Sequence, residues 1–109
     1  MARLAAEGEL SARCAETLKA LAHAHRLRIV AILCEGDETV IGLSRRLSLK
    51  QAIVSQQLRI LRMSGLVDAC RVAGFARYRI TQPRLRQLVT CLEGCHAVDV
   101  KRRTGGGAR

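Results

Sequence analysis

Apolar residues recur every three or four positions along most of this chain, the spacing that places them on one face of an α-helix. Leu10, Cys14, Leu18 and Leu21 make the first stripe of this kind. Such stripes predict four consecutive helices, over about residues 10–21, 27–34, 40–47 and 50–64. Gly36 and Gly65 follow two of these stretches, and glycine readily adopts the left-handed conformation that ends a helix.

The pattern changes after Gly65. Two short runs, residues 66–72 and 76–80, flank Ala73-Gly74-Phe75 and predict a β-hairpin. A last helix begins near Pro83, because proline is favoured in the first helical turn. The order α-α-α-α-β-β-α is mainly α with a β-hairpin wing, which is the arrangement of a winged helix-turn-helix.

Length and composition favour one small intracellular domain. The 109 residues have room for a single core, which we place at residues 10–98, between a flexible N-terminus (1–9) and a disordered basic tail (99–109). The longest apolar run, residues 29–34, is far too short to span a membrane. Five cysteines without a secretion signal favour free thiols in the cytoplasm.

The net charge of +10 is unevenly distributed. Residues 1–43 carry five basic against six acidic side chains, whereas residues 44–79 carry eight basic side chains against Asp68 alone. A charge block of this kind favours a surface that faces a polyanion, because a merely solvated surface would spread its cations more evenly.

The helix predicted at residues 50–64 has the composition of a DNA-recognition helix. With Val54, Leu58 and Leu61 facing inward, its outer face is small and polar, as entry into a major groove requires. The candidates for base contact are Gln51, Ser55 and Gln56. The candidates for phosphate contact are Arg45, Arg46, Lys50, Arg59 and Arg62. The hairpin adds Arg71, Arg77 and Arg79, which would reach phosphates or the minor groove.

These features predict a protein that binds a double-stranded DNA operator without a cofactor. An enzyme is not indicated, since the chain has no glycine-rich phosphate loop and no set of nucleophile, base and orienting residue. The alternative is a winged helix used only for protein contacts. Such a module would not need Ser55, Gln56 and Arg59 on one face beside an arginine-rich wing.

Four stretches resemble the ArsR/SmtB family of winged-helix repressors, over about residues 12–97: LKALAHAHRLRI (18–29), VSQQLRILR (54–62), SGLV (64–67) and RYRI (77–80). The resemblance implies a homodimer formed by the first and last helices, repression of an operator, and release by a ligand or an oxidant. The chain departs from the family pattern at Ala24, where proline is usual, at Lys50, where a capping serine is usual, and at Gln57, where histidine is common.

The resemblance also allows the family's metal sites to be compared by position. Thr39 and Ile41 stand where some relatives have a Cys-x-Cys motif, so we expect no metal there. The positions of the zinc site on the last helix also lack that site's carboxylate and imidazole ligands; they hold Gln82, Arg84, Cys95 and Val98.

With these two metal sites absent, cysteine thiols are the remaining candidates for the group that senses the releasing ligand or oxidant. Cys91 and Cys95 lie one turn apart, and together with Cys14 from either subunit they could bind As(III) or another thiophilic metal ion. The alternative is a redox or persulfide switch that joins Cys34 to Cys91 or Cys95, although such relatives have their cysteine at the position of Ala31. A third possibility is packing alone, since free cysteine often behaves as a small apolar residue.

Overall fold

The computed structural model describes residues 1–105, and the side chains of residues 1–96. Its elements are α1 (Arg3–Ala6), α2 (Gly8–Leu21), α3 (Ala24–Glu35), α4 (Val40–Leu47), α5 (Gln51–Met63), β1 (Val67–Val72), β2 (Phe75–Ile80) and α6 (Leu85–Gly105). The predicted fold class, mainly α with a hairpin wing, is confirmed, and the short α1 is added to it.

The core forms where the helical stripes meet, with α3 at its centre. Ile29, Val30 and Leu33 of α3 are almost completely buried, and α3 contacts α2, α4, α5, α6 and β2. The remaining core side chains come chiefly from α4, α5 and the segment that leads into β1: Leu43, Leu47, Val54, Leu58, Leu61, Leu66 and Val67. The chain lacks tryptophan, so aliphatic side chains fill this core.

The α4–turn–α5 unit is built from local polar contacts. The Thr39 hydroxyl accepts a hydrogen bond from the Gly42 amide at 3.0 Å and caps α4. Ser48 ends α4 in the left-handed conformation, with φ of 55°. Lys50 is the residue before α5 and makes no side-chain cap bond, so α5 lacks the cap that α4 has.

The wing is a tight antiparallel hairpin that is tied to the helices. Ala73 and Gly74 both have positive φ, 53° and 84°, the backbone that a two-residue hairpin turn requires. Tyr78 of β2 also pairs with Glu38, whose amide and carbonyl exchange hydrogen bonds with it at 3.1 and 2.8 Å. This bridge joins the wing to the chain immediately before α4.

Helices extend into both of the segments that the sequence placed outside the core. α1 and the start of α2 lie within residues 1–9, where Arg3 and Glu7 form an i,i+4 ion pair at 3.1 Å. At the other end, α6 continues past residue 98 to Gly105, because no proline or glycine interrupts residues 96–104. Residues 106–109 of the predicted tail lie outside the described residues. Within residues 1–105, none of the helices combines the length and apolarity that crossing a bilayer requires.

Candidate nucleic-acid interface

α5 separates its apolar and polar residues onto opposite faces, as the sequence predicted. Val54, Leu58 and Leu61 are buried, whereas Gln51, Ser55, Gln56 and Arg59 are all exposed. The three residues proposed for base contact therefore share the outward surface of the helix that follows the turn. This surface offers amide and hydroxyl groups, the donors and acceptors that match the edges of bases.

Five predicted phosphate contacts have no hydrogen-bond or ion-pair partner in the part of the chain that the structure describes. We call them the free cations: Arg45, Lys50, Arg59, Arg62 and Arg79, all of them exposed. Arg59 and Arg62 line an open groove of about 570 Å³ together with Ser55, Met63 and Tyr78. The groove lies between α5 and β2, so the positive charge of α5 lies directly beside the wing.

The other three predicted phosphate contacts are engaged inside the protein. Arg46 pairs with Glu35 at 2.8 Å and approaches Glu38 at 3.8 Å. Arg77 is half-buried and donates to the Asp37 carbonyl at 2.8 Å.

Arg71, the third of them, donates to the Gly74 carbonyl across the hairpin turn at 2.7 Å. The three arginines therefore stabilise the wing and the start of α4. Any phosphate that they bind must compete with these contacts.

The apolar residues at the interface were not predicted from the sequence. Ile41 and Phe75 are exposed, Phe75 by 62%, and they line a groove of about 310 Å³ beside Gln51 and Ser55. A signal was present, because the two aromatic residues of the chain, Phe75 and Tyr78, both lie in the hairpin. The candidate interface is therefore a mixed surface with apolar edges around the polar face of α5.

A second apolar surface lies on the N-terminal and C-terminal helices. Leu4 on α1, Leu18 on α2 and Leu92 on α6 are exposed, with Leu18 at 56%. Leu18 belongs to the stripe that predicted α2, yet the described side chains of a single chain leave more than half of it exposed. The first and last helices are also the pair that the family resemblance implies for the dimer.

The structure does not bring Cys34 together with the cysteines of α6. The part of α6 that faces Cys34 contributes Arg86, Val89, Thr90 and Glu93 to a shallow cavity of about 220 Å³. Cys91 and Cys95 are exposed on the opposite side of the helix from that cavity, one turn apart. The redox pair considered from the sequence is therefore not assembled within one chain.

The environment of Cys34 also disfavours its thiolate. Burial raises the pKa of the Cys34 thiol, and this effect outweighs the opposing charge of Arg86. The Arg86 side chain donates to the Cys34 carbonyl at 2.7 Å and so holds α6 against α3. Among the described residues of a single chain, no three histidine, cysteine or acidic side chains are grouped closely enough to hold a metal ion.

Comparison with known proteins connects these features to bacterial transcription regulators. Residues 23–69 match the family model described as bacterial regulatory protein, arsR family. The biofilm growth-associated repressor of Xylella fastidiosa is 40% identical over 78 residues, which are 72% of this chain and 68% of that protein. The transcriptional activator HlyU of Vibrio cholerae is 34% identical over 82 residues, 75% of this chain and 76% of that protein.

A solved structure resembles the whole fold. It is the homodimeric winged helix-turn-helix DNA-binding domain of a possible ArsR-family regulator from Mycobacterium bovis. It is 25% identical, with a TM-score of 0.74, and the alignment covers 93% of this chain and 92% of that one. The combination of the α4–α5 unit and the wing therefore also occurs in a DNA-binding domain of another bacterial protein.

Proposed function

This chain belongs to the arsR family of bacterial regulatory proteins, and we propose that it is a homodimeric repressor that binds a double-stranded DNA operator through α5 and the wing. α5 would lie in the major groove, with its exposed N-terminal half towards the bases. Gln51, Ser55 and Gln56 would contact base edges there. The wing would lie beside the adjacent backbone or minor groove.

The observation that carries this proposal is the position of the free cations. Arg59 and Arg62 line the groove beside Ser55 of α5, and none of the five has a partner among the described residues. Unpaired cations repel one another and weaken the folded state when nothing neutralises them. A phosphate backbone supplies the missing negative charge, and each contact releases a counterion into solution.

A homodimer is supported by the uncovered apolar residues and by the dimeric relative from M. bovis. Burying Leu18 and Leu92 against a second copy would remove them from water and enlarge a small core. A two-fold dimer would also present two copies of α5. Such dimers bind half-sites about one helical turn of DNA apart, so the operator should be an inverted repeat.

DNA binding is tested with duplexes selected from a random pool by the purified protein. We expect a selected inverted repeat to bind tightly at low salt, and affinity to fall by about 10³–10⁵ between 50 and 200 mM salt as six to ten phosphates are neutralised. A module that only contacts proteins would select no sequence and would not bind duplex DNA at 50 mM salt. That result would refute the proposal.

For the inducer, we propose a thiophilic ion such as As(III) that binds Cys91 and Cys95. Both thiols are exposed and one helical turn apart, so one soft ion can take both sulfur atoms. They lie on α6, which also carries the exposed Leu92, and binding there would disturb the dimer contact. A third sulfur from Cys14 would have to come from the partner subunit, since one chain holds no three-ligand group among its described residues.

Release of DNA by arsenite tests this site. We expect arsenite to free the selected duplex from the wild-type protein, whereas Cys91→Ser/Cys95→Ser should bind DNA normally and no longer release it. Cys70→Ser, a thiol in β1 of the wing, is the matched control and should respond like the wild type. A double variant that still releases DNA with arsenite would refute the site. If a persulfide but not arsenite released the duplex, and Cys34→Ser abolished that release, the redox alternative would be established instead.

A further inference from the structure

Gln57 is a buried polar residue at the centre of α5. Only 8% of it is exposed, and it lies on the same side as Val54, Leu58 and Leu61. A buried amide destabilises a protein unless it finds a hydrogen-bond partner. The apolar neighbours of Gln57 cannot provide one, so its partner must come from another element.

That partner is Arg26, in the first turn of α3. One guanidinium nitrogen of Arg26 donates to Gln57 Oε1 at 2.9 Å. Its Nε donates to the Ala20 carbonyl at 2.5 Å, and Ala20 lies in the last turn of α2, where carbonyls lack partners within the helix. A single side chain of α3 therefore joins the end of α2 to the middle of α5.

This link holds α5 in a way that its apolar contacts do not. Burial of Val54, Leu58 and Leu61 is non-directional and tolerates small rotations of the helix. A hydrogen bond depends on both distance and angle, so it sets the rotation of α5 about its axis. Among the described side chains, no other hydrogen bond joins α5 to a different element, and Lys50 provides no cap at its start.

We propose that Arg26 is a positioning residue for operator recognition: through Gln57 it sets the orientation of α5 relative to α2, without touching DNA itself. The inference rests on the proposed function. Gln57 directly follows Gln56, so a rotation of α5 that releases the amide also moves the side chain proposed to contact a base. Affinity for the selected operator depends on this orientation, whereas affinity for random duplex depends mainly on charge.

The test replaces both partners by apolar side chains of similar length, in Arg26→Met/Gln57→Leu. Removing both leaves neither side chain unpaired, and only the Ala20 carbonyl loses its donor, so the double variant should fold with a melting temperature no more than a few degrees below that of the wild type. We expect its ratio of operator affinity to random-duplex affinity to fall by about 10- to 100-fold, the range expected for a lost hydrogen bond to a charged group. An unchanged ratio in the folded double variant would overturn the inference.

Two further variants complete the design. Lys19→Met is the matched control for charge, because Lys19 lies on α2 beside Ala20 and, among the described residues, pairs with Glu16 of its own helix alone, at 3.2 Å. It should lower both affinities slightly and leave their ratio unchanged.

If the double variant does not fold, Arg26→Lys supplies the same test, since lysine keeps the charge but cannot hold Gln57 and the Ala20 carbonyl in the same fork geometry. A wild-type ratio in folded Arg26→Lys would contradict the inference. Failure of the wild-type protein to bind any duplex would instead refute the proposed function. The wild-type measurement thus distinguishes that outcome from a failure of the inference about Arg26.

Discussion

Replacing Arg59 by alanine tests whether the free cations contribute to DNA binding rather than to the stability of the fold. Arg59 is exposed on α5, lines the groove between α5 and β2, and has no partner among the described residues. Its removal breaks no hydrogen bond or ion pair among the described residues, and alanine is a slightly better helix former than arginine. Arg59→Ala should therefore keep the melting temperature of the wild type while weakening DNA binding.

The size of the effect follows from counterion release. Each phosphate contact contributes about 0.9 to the slope of log affinity against log salt, and a homodimer loses two contacts. The slope of Arg59→Ala should thus be shallower by about 1.8. Between 50 and 200 mM salt, a fourfold change, the variant should lose about 12-fold less affinity than the wild type does.

Arg77→Ala is the comparison, because the sequence placed both arginines in one class and the structure separates them. Arg77 donates to the Asp37 carbonyl at 2.8 Å and holds the wing against the chain before α4. Its loss should leave the salt slope unchanged and cost about 0.5–1.5 kcal/mol of folding free energy. In a domain of this size that lowers the melting temperature by several degrees.

The assay is a fluorescence-anisotropy titration of one selected duplex at four or more salt concentrations, together with thermal unfolding of each variant. The slope should fall in Arg59→Ala alone, and the melting temperature in Arg77→Ala alone. Equal slopes in the two variants, or a wild-type slope in Arg59→Ala, would refute the division between free and engaged arginines.

Three further predictions concern bases, the dimer and the buried thiol. Gln56→Ala should relax selection at one base pair, with a loss of about 1–3 kcal/mol of discrimination in repeated selections, and unchanged selection at every position would exclude Gln56 from base contact. Leu18→Glu should produce monomers in sedimentation, because it places a charge on the apolar stripe of α2, whereas a stable dimer would show that the stripe lies outside the interface. Because burial raises the pKa of Cys34, its thiolate is scarcer than that of a free cysteine at neutral pH. Iodoacetamide should therefore label Cys34 more slowly than N-acetylcysteine and reach half its maximal rate at a higher pH.

The wing shows how a correct local prediction can miss the functional detail. Two short runs on either side of a glycine predicted the hairpin, and the structure confirms it at Val67–Ile80 with a turn at Ala73 and Gly74. The exposed Phe75 and the bridge between Tyr78 and Glu38 were not predicted. Short runs that flank a turn predict paired strands, but they do not show which distant segment will pair with the free edge of a strand.

The sequence by itself determined the order of the elements from α2 to α6, the polar face of α5 and the location of positive charge. These are local properties, because helical period and charge sign are carried by residues a few positions apart. Only the tertiary structure decided what each arginine does. Arg26 reaches Gln57 across 31 positions and Arg77 reaches Asp37 across 40. A long side chain bonds to whatever the fold places within about 3 Å of its guanidinium, and no local pattern encodes that neighbour.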